Sequence, residues 1–205
     1  GHDVVLWGRP GSKNLAELRD RHANEYLQMP ESVELSDDLS YAVERADIII
    51  ISIGAQQLRS FAGQLAELPI KNKTFVLCMK GLEIGTGKRL SVVMREEVGP
   101  EPDIAVWVGP GHVQDFLKGI PNCMILASDS DEVTARLVPI FHGPLIRFYY
   151  GKDLLGTEIG AAAKNVVGLA AGMLDGVHYG SLKGALMARG TKELSRLIDA
   201  MGGDA

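Results

Sequence analysis

Short apolar runs alternate with amphipathic segments along the chain as far as Tyr150, and this alternation predicts strands separated by helices. The clearest strand is Asp47–Ile53, whose nearly continuous β-branched character predicts burial on both faces. Further strands are predicted at Asp3–Trp7, Thr74–Met79, Ile104–Val108, Asn122–Ala127 and Arg147–Tyr150. Helices are predicted at Lys13–His22 with Ser12 as N-cap, and at Asp38–Arg45, Gln56–Leu68, Arg89–Val98 and Glu132–Phe141.

Strands and helices in this order predict βαβ units with right-handed crossovers. The expected fold class is therefore α/β, with a Rossmann-like, mainly parallel sheet that carries helices on both faces. From Leu154 onward the pattern changes: a Gly/Ala-rich helix runs to about Asp175, and a second helix runs from about Ser181 to Met201. We expect one domain over residues 1–152 and the beginning of an all-helical second domain over residues 153–205.

The two ends of the chain suggest neighbouring structure. The first strand reads as the second strand of a nucleotide-binding sheet, because no strand and Gly-rich turn precede it. The last residues, from Gly202 onward, read as a loop. We expect a strand, a Gly-rich loop and a helix in front of the chain, and a helical region behind it.

Composition narrows the function classes. The chain of 205 residues is 46% apolar and 23% charged with a net charge of −5, which is ordinary for a soluble globular protein. The sequence has no basic cluster interleaved with aromatics, which argues against nucleic-acid binding. The longest apolar run, Ala46–Ile53, is too short to span a bilayer.

The cysteine pattern points to a reducing compartment. Cys78 and Cys123 lie in separate apolar stretches and are interpreted as buried free thiols, which fits a cytoplasmic protein. The spacing of cysteines and histidines does not indicate a zinc site, so no metal is expected.

Glycines follow three predicted strands, at Gly54, Gly81 and Gly109. Ligands of open α/β sheets bind outside the carboxyl ends of strands, so these glycines outline one candidate rim, with Lys80 at the end of its strand. Three ordinary tight turns are the alternative interpretation. The segment Gly109–Gly111 lacks the third glycine of a dinucleotide fingerprint, because position 114 is Gln.

Arg9 follows the first predicted strand, where an acidic residue would bind the ribose of NAD and an arginine would suit the 2′-phosphate of NADP. A solvated loop arginine is an equally good interpretation.

Lys164 lies in a strip of small residues on the long helix. Its neighbours at helical spacing are Gly160, Ala161, Gly168 and Ala171. Each glycine in a helix interior costs about 1 kcal/mol relative to alanine, so close packing is expected to offset that cost. The strip leaves room for a ligand beside the lysine. The alternative is a helix packed on the sheet with Lys164 in solvent.

At these residues the sequence resembles the bacterial type of NAD(P)-dependent glycerol-3-phosphate dehydrogenase family, over essentially the whole chain. The most specific likeness is the segment 156–176, which is similar to the family signature around its catalytic lysine. Further matching segments are Val4–Arg9, Asn24–Leu27, Met79–Glu83, Gly109–His112 and Met187–Gly190.

The sequence also departs from the family pattern. Gly111 stands where the family has Ser or Thr near substrate, and Ala161 and Ala163 replace its usual Gly and larger aliphatic residue. The loop 52–55 differs from a Val-Pro-Ser type, and the segment 179–183 is one residue shorter and lacks an asparagine.

The resemblance implies reversible hydride transfer between dihydroxyacetone phosphate and sn-glycerol 3-phosphate, with NADP or NAD as cofactor, supplying glycerol 3-phosphate for phospholipid synthesis. It implies Lys164 and Lys80 as catalytic residues and Lys80, Gly109, Gly111, Lys164 and Asn165 as contacts to a small phosphorylated substrate. The implied cofactor contacts are Arg9, Tyr26, Gly54, Lys80 and Val113. It leaves a homodimer open.

Two other functions remain open. One is a related ketopantoate or hydroxyacid reductase, which shares the two-domain plan and a helical lysine. The other is a non-catalytic nucleotide-binding relative, for which the ammonium groups of Lys80 and Lys164 are expected far apart.

Overall fold

The computed structural model describes residues 2–204, which form seven strands and eight α-helices. The strands are β1 (Val4–Trp7), β2 (Val33–Ser36), β3 (Ile48–Ile51), β4 (Thr74–Leu77), β5 (Asp103–Val108), β6 (Asn122–Ser128) and β7 (Ile146–Gly151). The helices are α1 (Lys13–Arg21), α2 (Leu39–Arg45), α3 (Leu58–Ala66), α4 (Leu90–Val98), α5 (Val113–Leu117), α6 (Asp131–Phe141), α7 (Leu154–Gly176) and α8 (Gly180–Ala200).

Most strand pairs are parallel, as predicted. β3, β4 and β5 pair in parallel, β6 runs antiparallel to β5, and β7 is parallel to β6. β1 and β2 form a separate parallel pair. Trp7 at the end of β1 stacks on Phe61 of α3 with ring centroids 5.3 Å apart, which ties this pair to the helix that follows β3.

The side chains of β4 alternate between the two faces of the five-stranded sheet. Phe75 and Leu77 pack into a core cluster with residues of α3, α4 and α7, whereas Val76 packs into a second cluster with residues of α6. Because successive side chains of a strand point to opposite faces, the apolar run of β4 requires a helical layer on each side. The predicted α/β class with helices on both faces is confirmed.

Several elements differ from the prediction. The sequence analysis missed β2 and α5, which have four and five residues and are too short to show a clear period. A 3-10 turn over Ala55–Gln57 precedes α3, where one continuous helix was predicted. The prediction that β3 is buried on both faces is wrong for Ile50, which is 49% exposed, because β3 is the edge strand of the five-stranded sheet.

The long helix α7 begins inside the core. Leu154 and Ala161 belong to the same cluster as Phe75 and Leu77, and Ile159 is 2% exposed, so its first two turns pack on the sheet. Helix α8 packs against α7, with Gly190 directly beside the methyl groups of Val167.

The glycines of α7 are not closely packed, contrary to the expectation from the sequence. A Cβ atom built on Gly160, Gly168 or Gly172 would meet no atom within 4 Å among the described residues, so close packing within this chain does not offset these glycines. Ala161 and Ala171 of the strip are buried, whereas its glycines face open space and leave room on that side of the helix.

Both cysteines are free thiols, but only one of them is partly buried. Cys78 is partly buried, and burial raises the pKa of its thiol to about 11. Cys123 is exposed, contrary to the prediction, because the first residues of β6 alternate between partial burial and exposure. Among residues 2–204, no helix combines the length and apolar character that crossing a membrane requires.

The central strand gives a stability test. Leu77→Ala removes a fully buried side chain from β4 and is expected to lower the free energy of unfolding by about 2–5 kcal/mol, because it leaves a cavity. Leu117→Ala, at a side chain that is 58% exposed on α5, makes the same chemical change outside the core. It is expected to cost less than about 0.5 kcal/mol in the same denaturant titration. Equal losses in the two variants would contradict the assignment of β4 to the core.

Candidate active site

Three strand ends meet at one edge of the sheet. Ile51 of β3 lies opposite Leu77 of β4, which lies opposite Val106 of β5. Because the three strands are parallel, the residues that follow them share this edge, and they include Gly54, Lys80 and Gly109. The Lys80 Nζ donates a hydrogen bond to the Gly109 carbonyl oxygen at 3.2 Å, which joins two of the predicted glycine-marked strand ends.

The turn after Lys80 is bound by residues of the 3-10 turn that follows β3. Gly81 has a φ of +128°, which favours glycine, and a Cβ there would lie 3.8 Å from the Cβ of Ala55. The Gln56 side-chain amide donates to the Leu82 carbonyl at 2.8 Å and accepts from the Ile84 N–H at 2.8 Å. These two bonds fix the course of the chain just beyond Lys80.

A charged cluster anchors the same turn on its outer side. Arg59 of α3 makes ion pairs with Glu83 at 2.7 Å, Glu96 at 2.9 Å and Glu97 at 2.6 Å. The Arg59 guanidinium and a hydrogen bond from Thr86 lower the pKa of Glu83 to about 2. Glu83 therefore stays ionised under ordinary conditions, and the turn stays attached to α3 and α4.

Lys164 of α7 lies against the same rim. Both Lys80 and Lys164 are exposed, as is Asn165. The pKa of Lys80 is lowered by partial loss of solvation and then by the charge and side-chain contact of Lys164. The Lys164 side chain, 84 positions further along the sequence, therefore lies near enough to Lys80 to lower its pKa.

A buried carboxylate joins α7 to the start of α4. Glu158 accepts from the Ser91 backbone N–H at 2.9 Å, from the Ser91 hydroxyl at 2.5 Å and from Arg89 Nη1 at 2.6 Å. Arg89 occupies the N-cap position of α4 and makes no side-chain cap bond of its own. Glu158 supplies the missing acceptor for an unpaired N–H of the first turn, from a different helix.

The segment after β5 is packed tightly against β6. A Cβ on Gly109 would lie 2.9 Å from the Met124 Cα, so this position accepts only glycine without a backbone shift. A Cβ on Gly111 would collide with the terminal methyl of Met124 and approach the Phe116 ring at 3.0 Å. Val113, the first residue of α5, is 43% exposed.

The remaining predicted cofactor residues lie elsewhere. Arg9 is exposed at the carboxyl end of β1, and Tyr26 is 50% exposed on the loop between α1 and β2. The Asn24 side chain accepts from the backbone N–H groups of Tyr26 and Leu27 at 2.9 Å each, which shapes that loop. Within residues 2–204, no hydrogen bond joins Arg9 or Tyr26 to Lys80 or Lys164.

The residues that tie the turn after Lys80 to α3, and the start of α4 to α7, were not predicted from the sequence. Arg59, Arg89 and Ser91 carry no local signal, because each acts through a partner that is distant in sequence. Glu158 does carry one: it is an acidic residue at the start of a Gly/Ala-rich helix, flanked by Ile159. Among the residues described, no cluster of three or more His, Cys, Asp or Glu side chains is placed to hold a metal ion.

Family models match both parts of the chain. The model described as the NAD-dependent glycerol-3-phosphate dehydrogenase N-terminus matches residues 1–134, and the model of its C-terminus matches residues 153–205. The first model ends within α6, and the second begins at the residue before α7.

Individual relatives belong to the same family as these models. A glycerol-3-phosphate dehydrogenase [NAD(P)+] of Fusobacterium nucleatum subsp. nucleatum is 36% identical over 210 residues, covering 100% of this chain and 62% of the relative. The enzyme of the same name from Aromatoleum aromaticum is 37% identical over 206 residues, covering 98% and 62%. The chain thus spans about 62% of the length of these curated relatives.

Solved structures show the same likeness. The glycerol-3-phosphate dehydrogenase of Coxiella burnetii superposes with a TM-score of 0.89 at 27% identity, covering 98% of this chain and 63% of that one. A pyrroline-5-carboxylate reductase from the same organism, at a TM-score of 0.52 and 8% identity, shares the fold alone. With two family models covering nearly all of its length and relatives above 35% identity, the chain belongs to the NAD-dependent glycerol-3-phosphate dehydrogenase family.

Proposed function

We propose that the protein interconverts dihydroxyacetone phosphate and sn-glycerol 3-phosphate with NAD(P)H, and so supplies glycerol 3-phosphate for phospholipid synthesis. The observation that carries the proposal is the meeting of Lys80 and Lys164 at the carboxyl ends of parallel strands. One lysine comes from the sheet and the other from the first helix beyond it. A phosphorylated substrate at this rim would be attracted by both positive charges.

Proton transfer would fall to Lys164. When bound, the nicotinamide supplies the hydride for the ketone carbon of the substrate. The carbonyl oxygen then gathers negative charge, and the Lys164 ammonium would donate a proton to it as general acid. In the oxidative direction the neutral amine of Lys164 would accept that proton. Asn165, next along the helix, would donate a hydrogen bond to a substrate oxygen.

Lys80 would orient the substrate from the opposite side of the rim. Its ammonium is already directed by the Gly109 carbonyl, so little side-chain freedom is lost when a substrate oxygen binds to it. The lowered pKa of Lys80 increases its neutral fraction at a given pH compared with an isolated lysine. Gly109 and Gly111 would contact the substrate through the backbone, since neither has a side chain.

Residues at the rim, together with Arg9 and Tyr26 outside it, would fit a dinucleotide. A Cβ on Gly54 would meet only the Gln57 side chain, at 3.7 Å, so the backbone there is open to close approach. Lys80 and Arg9 supply positive charge for phosphate groups, while Tyr26 and Val113 offer exposed apolar surface for the rings. These five residues would hold NADP or NAD.

The same proposal assigns the parts of the chain. Residues 1–152 would belong to the dinucleotide-binding domain, and residues 153–205 would begin the helical substrate domain. We further propose a cytoplasmic enzyme that does not bind nucleic acid, with a homodimer as its assembly. The reducing cytoplasm agrees with two cysteines that are both free.

A related ketopantoate or hydroxyacid reductase is the second candidate, favoured by one observation. Gly111 lacks the hydroxyl that the family places near substrate, and Met124 and Phe116 fill the space beside it. A substrate panel on the full-length protein separates the candidates, with turnover of dihydroxyacetone phosphate deciding for the first. The non-catalytic interpretation draws support from Gly111 and the shortened segment 179–183, but it expects the two ammonium groups to lie far apart, and the influence of Lys164 on the pKa of Lys80 argues against that.

Lys164→Ala tests the proton donor. In the full-length protein we expect turnover of dihydroxyacetone phosphate to fall about 100- to 10,000-fold, the usual loss when a general acid is removed. Nucleotide affinity, measured by fluorescence titration, is expected to survive. Lys192→Ala, at an exposed lysine of α8, is the matched control and should keep normal turnover. Near-normal turnover of Lys164→Ala would refute its role.

Gly111→Ser tests whether the lost hydroxyl is compatible with the packing. A Cβ at position 111 collides with the Met124 side chain, so the single variant is expected to melt at a lower temperature than the wild type. Shortening the obstacle in Gly111→Ser/Met124→Ala should make the serine less costly than it is alone. A double-mutant cycle of melting temperatures measures this coupling, and strictly additive effects would contradict the steric explanation.

Arg9→Ser tests the cofactor preference. If Arg9 binds the 2′-phosphate, its loss should raise the KM for NADPH about 10- to 100-fold, the usual effect of removing a charged hydrogen bond. The KM for NADH should change less than threefold, roughly, because that cofactor has no phosphate there. Steady-state kinetics with both cofactors decides, and equal changes would show that Arg9 is a solvated loop residue.

A further inference from the structure

The candidate catalytic lysines sit on two different elements, so something must fix the distance between them. Lys80 follows the sheet strand β4, while Lys164 lies on α7, whose later turns leave the core. Val166 and Leu169, on the turns just beyond Lys164, are 72% and 71% exposed. The orientation of α7 must therefore be set by its buried first turns, where Glu158 lies.

A short series of hydrogen bonds connects the turn after Lys80 to the helix that carries Lys164. Leu82, two residues after Lys80, forms an antiparallel bridge with Arg89, and Glu83 N–H bonds to the Lys88 carbonyl at 2.9 Å. Arg89 and Ser91 then bind the Glu158 carboxylate. Lys164 follows Glu158 by six residues, or about 9 Å along the helix axis.

The Glu158 carboxylate is buried and strongly hydrogen-bonded, as a group that fixes the orientation of α7 must be. Its side chain is only 5% exposed and that of Arg89 is 19% exposed, so solvent screens the pair weakly. Three donors converge on its two oxygens, and they include one backbone N–H that cannot move without moving α4 itself. The carboxylate also lies at the N-terminus of α4, where the helix dipole favours negative charge.

We propose that Glu158 is a positioning residue that, by binding Arg89 and Ser91, sets the separation of Lys80 and Lys164. This inference rests on the proposed function for its effect on turnover, but its effect on the two lysines does not depend on that function. Glu158 itself touches neither substrate nor cofactor in this arrangement. It acts by holding α7 against the turn that follows Lys80.

The main test is Glu158→Gln, which keeps the shape of the side chain and removes its charge. In the full-length protein, we expect kcat for dihydroxyacetone phosphate to fall about 10- to 100-fold, because a displacement near 1 Å in a catalytic group has an effect of this size. The KM for the nucleotide should stay within about twofold, since the helical part does not carry the cofactor contacts. Circular dichroism checks that the variant is folded.

A second readout follows Lys80 directly and needs no turnover. Competitive acetylation over a range of pH, read by peptide mass mapping, gives the titration of Lys80 relative to the exposed Lys13. In the wild type, Lys80 should titrate below the usual range of a lysine. In Glu158→Gln the titration of Lys80 should move to higher pH, because Lys164 moves away and its repulsion weakens. Because restored solvation would also move the Lys80 titration to higher pH, the shift supports the proposal only below the melting transition of a variant that circular dichroism shows to be folded.

Asp103→Asn is the matched control. It makes the same carboxylate-to-amide change in an ion pair of the same 2.6 Å length, with Arg136, at the opposite end of the β5 strand. It should change neither kcat nor the Lys80 titration. Ser91→Ala removes the hydroxyl that donates to Glu158 and accepts from Arg89, keeps the Ser91 backbone contact, and serves if Glu158→Gln does not fold. It should produce smaller shifts in the same directions.

The outcomes separate the two hypotheses. An unmoved Lys80 titration in folded Glu158→Gln and in Ser91→Ala refutes the positioning role, even if both variants melt earlier. A wild-type protein that shows no turnover of dihydroxyacetone phosphate refutes the proposed function alone. In that case the Lys80 titrations of the wild type and Glu158→Gln still decide whether Glu158 positions the lysines.

Discussion

Parallel pairing of β3, β4 and β5 is the interaction on which the candidate site depends. Parallel strands end at the same edge of a sheet, so the pairing delivers Gly54, Lys80 and Gly109 to one rim although they lie far apart in sequence. The pairing itself requires apolar cover on both faces, which the alternating side chains of β4 obtain from α3, α4 and α7 on one face and α6 on the other. The chemistry of the rim thus rests on core packing beneath it.

Two like charges at the rim oppose that arrangement. Lys80 and Lys164 repel each other, and the lowered pKa of Lys80 records part of this cost. The surrounding structure must therefore hold both groups in place through other contacts. The turn after Lys80 is attached through Gln56 and Arg59, and α7 is attached through its buried first turns. An anion bound at the rim would relieve the repulsion, so its binding would stabilise the folded site.

Much of the fold was predictable, since strands such as β4 are short apolar runs and helices such as α6 show a clear helical period. The antiparallel β6 and the exposed Cys123 were not, because strand direction and partial cover are properties of the neighbours rather than of the run itself. For the site, sequence pattern and family resemblance pointed to Lys80 and Lys164, and the structure brings Lys164 near enough to lower the pKa of Lys80. The contacts that hold them were missed, because the Glu158–Arg89 pair spans 69 residues.

The course of α7 explains how one helix serves two parts of the protein. Its first turns are buried in the core. Glu158, the acidic residue of these turns, forms an ion pair with Arg89 and is little exposed to solvent. Further along, glycines at 160, 168 and 172 face open space, so the helix backbone is accessible beside Lys164. A helix packed along its whole length would have covered the lysine, and one without the buried start would have had no fixed orientation. The change from buried to open within a single helix is what presents Lys164 to a ligand at the rim.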